Sequence, residues 1–194
     1  MNKLRPAFFV FAVLVFFSGC DAFKQAYTAT QCKYDYNSIS NLRLSGVDLS
    51  RGVNLVTGMP ALLSILSGNS ASIPLDFTVN LDVLNPNKSA AVFSGLQYVL
   101  KIDDVQFAAG STQQTLNVAA GGSQVLPMSF SIDLATLMQG NSKTAVQNIA
   151  KNFIGIGNEK SKVTLNIKPS FTVAGRSVFS PAYIPVSFSF GGGK

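Results

Sequence analysis

Leu75, Phe77, Val79, Leu81 and Val83 alternate without a break with Asp76, Thr78, Asn80 and Asp82. A period of two puts one set of side chains on a core face and the other in water, as only a strand can do. The same period recurs in Leu96-Tyr98-Leu100-Ile102, Met128-Phe130-Ile132-Leu134, Val163-Leu165-Ile167 and Ile184-Val186-Phe188-Phe190. Half-buried strands of this kind predict an antiparallel sheet system, so the chain is expected to be mainly β. Further strands are predicted over 105–108, 114–118 and 171–178, separated by Gly110-Ser111, Gly121-Gly122 and Ala174-Gly175-Arg176.

An earlier strand is predicted over 39–49, but its parity flips: Leu42 and Leu44 are even-numbered, Val47 and Leu49 odd. A one-residue slip would send half of these side chains into water, so a β-bulge is expected at Ser45-Gly46. Two segments break the alternation. Residues 60–66 begin with Pro60, continue as an apolar run and are followed by Gly68, which predicts a short helix. Residues 142–154 carry Val146, Ile149, Ala150 and Phe153 on one face, with Ser142 placed to cap the start and Gly155 the end. The stripe suits an amphipathic helix lying on a sheet; Lys143 and Lys151 are too few basic residues for a membrane-surface helix.

The first twenty residues have a different grammar. Lys3 and Arg5 precede eleven uninterrupted apolar residues, 7–17, and then Phe17-Ser18-Gly19-Cys20. The apolar run is about 16 Å long as a helix, roughly half of a bilayer's hydrocarbon core. It reads as an export signal rather than a span. Ser-Gly-Cys at its end resembles the lipobox of bacterial lipoproteins, in which the cysteine is acylated and becomes the new N-terminus. Residues 1–19 are therefore expected to be a lipoprotein signal peptide, 20–38 a lipidated tether and 39–190 the folded domain. Cys20 would hold the protein on a cell-envelope membrane, facing the periplasm or exterior. The outer membrane is favoured over the inner, although Asp21 resembles an inner-membrane retention signal of some bacteria.

Composition closes several routes to function. No histidine or tryptophan occurs, and Cys32 is the only thiol besides Cys20. Nucleophile–histidine catalysis is thus excluded, and a zinc site lacks ligands. With Cys20 acylated no intramolecular disulfide can form, so Cys32 is expected to be buried and inert or to pair between molecules. Asp103-Asp104 would point apart as a calcium pair and reads better as a turn. Asp76, Asp82 and Asp133 fall on predicted solvent faces, where solubility explains them. Without Lys3 and Arg5 the chain holds 13 basic and 9 acidic residues, and residues 135–194 hold seven basic residues against Glu159. Two readings of that late segment are open, an anionic phospholipid surface or scattered solvated lysines. Nothing suggests nucleic acid, a small-molecule substrate or a cofactor.

A family likeness sits on the middle of the chain. Leu81-Asp82-Val83-Leu84-Asn85-Pro86-Asn87 is followed by Leu96-Gln97-Tyr98-Val99-Leu100-Lys101-Ile102 and then by Val105-Gln106-Phe107-Ala108-Ala109-Gly110. This order resembles the WHy (water stress and hypersensitive response) domain of the late embryogenesis abundant type-2 proteins. Pro86 ends a ladder because it has no N–H, while Asn85 and Asn87 can bond nearby backbone. The resemblance implies an immunoglobulin/fibronectin-III-like antiparallel β-sandwich of about seven strands with a helix, here the amphipathic one; segment 58–72, which holds the short helix, departs from the family pattern as an insertion. It implies structural roles for Asn85, Pro86, Asn87, Tyr98 and Gly110, no catalytic residue, and a link to desiccation and stress tolerance. The competing expectation is an assembly module that docks an envelope protein through a sheet edge or through segment 58–72.

Overall fold

The structure is a computed structural model. It describes residues 30–49, 60, 63, 67, 70–140, 143–153, 155–173 and 176–192. The described chain is mainly β with two helices. In order, it forms β1 (Lys33–Leu44), β2 (Val47–Asp48), β3 (Pro74–Leu84), β4 (Ala91–Phe93), β5 (Gly95–Ile102), β6 (Val105–Thr112), β7 (Leu116–Val118) and β8 (Ser123–Asp133). There follow α1 (Leu134–Gly140), α2 (Lys143–Phe153), β9 (Ser161–Val173), β10 (Arg176–Phe179) and β11 (Ile184–Phe190).

All strand pairs among the described residues are antiparallel. One sheet has the order β2-β1-β3-β8; a second runs β10-β9-β5-β6, with β11 also on β9; β4 and β7 form a small third ladder. β3 lies at the centre because its alternation is complete: Leu75, Phe77, Val79, Leu81 and Val83 are all buried. It pairs with β8 along its whole length, from Pro74↔Asp133 to Leu84↔Ser123. The core lies between the two large sheets, which aromatic pairs stitch together. Tyr98 of β5 meets Phe130 of β8 edge-on at 5.4 Å, and Tyr36 of β1 stacks on Phe188 of β11 at 3.8 Å.

The two ends of this arrangement are closed differently. β8 leaves the first sheet at Asp133, whose Oδ1 accepts the amides of Ile73 and Ala135, both at 2.9 Å. That carboxylate caps α1 and is held below the ordinary carboxylate range, chiefly by the Ile73 amide. Asp133 is thus a cap rather than a solubilising strand residue, and Leu134, expected as the last strand residue, starts a helix. The stripe Val146, Ile149, Ala150 and Phe153 is buried as α2, with Phe153 between Phe77 and Phe190 at 5.5 and 5.0 Å. Gly155, at φ +79°, ends the helix. The C-terminal segment folds back here: Gly192 donates to the Asn152 carbonyl at 2.8 Å. A Cβ on Gly191 would run into that same peptide group, and its φ is +81°.

The parity flip at Ser45-Gly46 has another cause than the expected bulge. Leu44 pairs with Val47 and Arg43 with Asp48, and the amide of Leu49 donates to the Leu42 carbonyl at 2.8 Å. Ser45 and Gly46 have φ of 48° and 81°, the signature of a two-residue hairpin turn. Cross-strand partners around such a turn have opposite parity, so Leu42, Leu44 and Leu49 all stay inside. Bulges do occur in β1, but earlier, between Tyr36 and Ser38 and between Ser40 and Arg43. Asp103 and Asp104, at φ 47° and 65°, make the corresponding turn from β5 to β6.

Other expectations shift as well. β1 begins at Lys33, inside the expected tether 20–38, because Cys32, Tyr34 and Tyr36 alternate with Lys33, Asp35 and Asn37 and pack inward. Residues 163–167 and the start of 171–178 join into one strand, β9, which turns back as β10. Eleven strands among the described residues replace the expected seven or so, since several are pieces of two to four residues. Pro60, Leu63 and Ser67 are described, helical and exposed; the rest of the short helix expected over 60–66, with Ser142, lies outside the described residues.

Candidate functional site

Opposite the helices, the other end of the domain gathers the Asn-Pro-Asn motif, β4, β7 and the start of the described chain. Asn85 is wholly buried. Its Nδ2 donates to the carbonyls of Ser89, Val118 and Ala119 at 2.9, 3.0 and 3.1 Å. Its Oδ1 accepts the amide and the Nδ2 of Asn87 at 3.1 and 3.0 Å. The backbone closes the knot: the Asn85 amide donates to Gly122 at 2.9 Å and the Gly121 amide to Asn87 at 3.1 Å. Pro86 is exposed between them, where a missing N–H costs nothing. One side chain therefore ties the end of β3 to β7 and to the β7–β8 turn.

Tyr98 and Gly110 are direct cross-strand partners on β5 and β6. A Cβ on Gly110 would sit 2.9 Å from the Tyr98 hydroxyl, so the glycine leaves room for the ring to lie across β6. These five motif residues do not converge on a cleft. Asn85, Pro86 and Asn87 form one knot; Tyr98 and Gly110 form a separate contact that leans on Phe130. Cys20 and all of 58–72 except Pro60, Leu63, Ser67 and residues 70–72 lie outside the described residues.

Beside the knot the chain enters through Thr30, Cys32 and Tyr34. Cys32 is buried, and burial pushes its thiol up to about 11. The Tyr34 ring meets Phe93 at 6.3 Å, and its buried hydroxyl has no hydrogen-bond partner among the described residues; burial raises its pKa, as does the neighbouring Cys32. Sequence reasoning passed over Tyr34 because Gln, Thr, Asn and Lys surround it; the signal available was the short alternation from Cys32 to Tyr36.

The outer face of the first sheet bears a shallow polar groove of about 410 Å³, lined by Asn41, Arg43, Asp76, Thr78, Ser129 and Ser131 among others. Three of its polar side chains bond one another: Thr78 and Ser129 share a 3.0 Å hydroxyl bond, and Asn41 Nδ2 donates to Thr78 Oγ1 at 3.4 Å. Nearby, Asn80 Nδ2 donates to Ser38 and Ser40 at 3.1 and 3.0 Å. Asp76 stands opposite Ser131 on β8 and Arg43 on β1, with no histidine in the sequence to activate a hydroxyl. Among the described residues no three metal-ligating side chains converge, and no helix is long and apolar enough to cross a membrane.

A family model described as late embryogenesis abundant protein matches residues 80–187. A crystal structure of a protein from Archaeoglobus fulgidus is similar at 17% identity and TM-score 0.41, over 80% of this chain and 96% of that one. A solution structure of a protein from Arabidopsis thaliana is similar at 10% identity and TM-score 0.45, over 80% of each chain. Another solution structure, described as a late embryogenesis abundant (LEA) protein, is 13% identical with TM-score 0.41, over 92% of this chain and 82% of that one. No curated protein matches the sequence.

Proposed function

Because the chain belongs to the late embryogenesis abundant family, its matched segment running from β3 to β11, we propose that it is a non-catalytic, lipid-anchored protein that shields envelope components under drying or related stress. Family membership carries the stress reading. The lipobox at Cys20 carries the placement, since acyl chains contribute about 0.8 kcal/mol per buried methylene and two or more anchor stably. The absence of histidine from the sequence, and the bond by which the Thr78 and Ser129 hydroxyls of the groove engage each other, support a role without chemistry. We read the two facing sheets as an immunoglobulin/fibronectin-III-like sandwich elaborated with short strands.

Two measurements test this function. The purified protein is dried or frozen with a labile enzyme, and a strain lacking the gene is dried beside its parent. Retained enzyme activity and lowered survival of the strain are expected; no protection together with unchanged survival refutes the reading. Separation of inner from outer membranes, with mass spectrometry of the mature N-terminus, tests the acylated Cys20 and its membrane.

One observation favours the assembly reading as second choice: Leu63, inside segment 58–72, is 58% exposed. Pull-down from intact membranes with and without 58–72 decides it, and an unchanged set of recovered proteins rules it out.

A further inference from the structure

Eight large hydrophobic side chains are notably exposed among the described residues, and five of them (Leu84, Val92, Val125, Val178 and Phe179) lie at one end of the domain. The register places them there. Leu84 pairs with Lys33, where β1 begins, and with Ser123; Val125 is two residues further along β8. Val92 follows the Asn85 knot on β4. Phe179 pairs with Ser170, itself opposite Gly95, just after Phe93, which meets Tyr34. The patch thus rims the end at which the N-terminal segment enters. Singly scattered apolar residues need no explanation, but a rim of them does.

Charge is less balanced at this end than elsewhere: four cations stand here against two carboxylates, whereas Arg43, Lys101, Lys143, Lys151, Lys160 and Lys162 match six carboxylates in the rest of the described chain. Lys33, Lys88 and Arg176 are exposed at this end, and Lys168 lies close by with its Nζ 5.6 Å from the centre of the exposed Tyr183 ring. Asp35 and Asp82 are the carboxylates nearby, and Asp82 is engaged by Asn37 Nδ2 at 3.0 and 3.1 Å. Asp48, Asp76, Asp103, Asp104, Asp133 and Glu159 all lie farther away, toward the helical end or the middle of the strands.

We infer that this end is a membrane-facing surface, on which the edge strand β10 places Val178 and Phe179 at the headgroup boundary of an anionic phospholipid bilayer. The inference rests on the lipid-anchor reading for proximity. Thr30 is ten positions from Cys20, a link that spans at most about 36 Å when fully extended. β10 pairs with β9 alone among the described residues, and its consecutive Val178 and Phe179 point to opposite faces while both stay exposed. A flat protein partner would cover one of them; an edge entering the lipid boundary covers both. The flanking cations match anionic headgroups, each basic side chain near such a surface raising binding about fivefold.

The natural chain has no tryptophan, so single indoles report cleanly. Phe179→Trp and, at the helical end, Ile156→Trp are placed in the full chain and reconstituted into phosphatidylglycerol/phosphatidylethanolamine vesicles carrying brominated acyl chains. The Phe179→Trp indole is expected to shift to the blue and lose at least half its emission, and the Ile156→Trp indole to do neither. Changing Lys168 and Arg176 together to Glu should reverse most of that quenching. Several outcomes overturn the proposal: an unquenched Phe179→Trp indole on vesicle-bound protein, equal quenching at both positions, equal quenching in pure phosphatidylcholine, or a blue shift without vesicles that grows with protein concentration, which would assign the rim to a second copy. Mass spectrometry of the N-terminus separates the two readings. Acylated protein with an unquenched indole sinks this surface and leaves the anchor; quenching without acylation sinks the anchor and leaves the surface.

Discussion

Asn85→Ala is the perturbation with the largest structural consequence. The wild-type side chain is wholly buried and joins five polar partners: three carbonyls through Nδ2 and two donors of Asn87 through Oδ1. Ser89 is exposed, so its carbonyl can turn to water. The carbonyls of Val118 and Ala119 and the amide of Asn87 have less recourse. A net hydrogen bond is worth about 1 kcal/mol and a buried group left unpaired costs about 1–3 kcal/mol. Two bonds lost with one carbonyl orphaned give about 3–5 kcal/mol, a large share of the 5–15 kcal/mol typical of a domain. At this size about 1 kcal/mol corresponds to roughly 2–4 °C, so the melting midpoint should fall by about 10 °C.

Asn85→Asp sharpens the test. It is isosteric, but it aims a carboxylate at three carbonyl oxygens inside a dry knot, so the folded state holds the carboxyl protonated and its pKa above the unfolded value near 3.9. A group with a raised folded pKa gains stability as pH falls, because the folded state binds more protons. The deficit of Asn85→Asp relative to the natural chain should therefore shrink between pH 7 and pH 4. Urea unfolding followed by circular dichroism measures both variants. A loss under about 1 kcal/mol for Asn85→Ala with an unchanged denaturant slope, or a pH-independent deficit for Asn85→Asp, would refute the reasoning.

Ser45→Asn should stabilise by a few tenths of a kcal/mol in urea titrations, because both turn residues have positive φ and Asn-Gly is the favoured pair for that hairpin. Gly191→Ala should cost about 2 kcal/mol or more, since its Cβ meets the Asn152 peptide in a conformation that L residues avoid; a melting point matching the natural chain would show that the C-terminal strap does not bear on α2. Tyr34→Phe should raise stability by about 1 kcal/mol, removing a buried hydroxyl that has no partner among the described residues; a loss of that size would mean the hydroxyl is bonded in solution. Burial raises the Cys32 thiol from 9.0 to about 11 and the Tyr34 phenol in the same direction. The stability this contributes is full below pH 9 and is lost as pH climbs toward 11, so unfolding midpoints should fall in that window, and less steeply in Cys32→Ala.

The strands and the amphipathic helix were legible in the sequence because their periods are local. Leu75 to Val83 specify a face whatever lies opposite, and Val146, Ile149, Ala150 and Phe153 do so for α2. The family likeness was legible through Asn85-Pro86-Asn87 and the strands around it. What the Asn85 amide grips was not: Val118, Ala119 and Gly122 lie more than thirty residues away, and only the folded backbone turns their carbonyls toward it. Parity at Ser45-Gly46 was visible, but its cause was undecided, because a bulge and a two-residue hairpin flip parity alike and only strand pairing tells them apart. The exposure of Val178 and Phe179 could not be read either, since burial belongs to neighbours distant in sequence. Local repetition thus determined which residues form strands and which face each presents. Tertiary structure alone decided which strands pair, which polar groups are sealed together and which apolar side chains stay uncovered, for these depend on contacts between segments that the sequence keeps far apart.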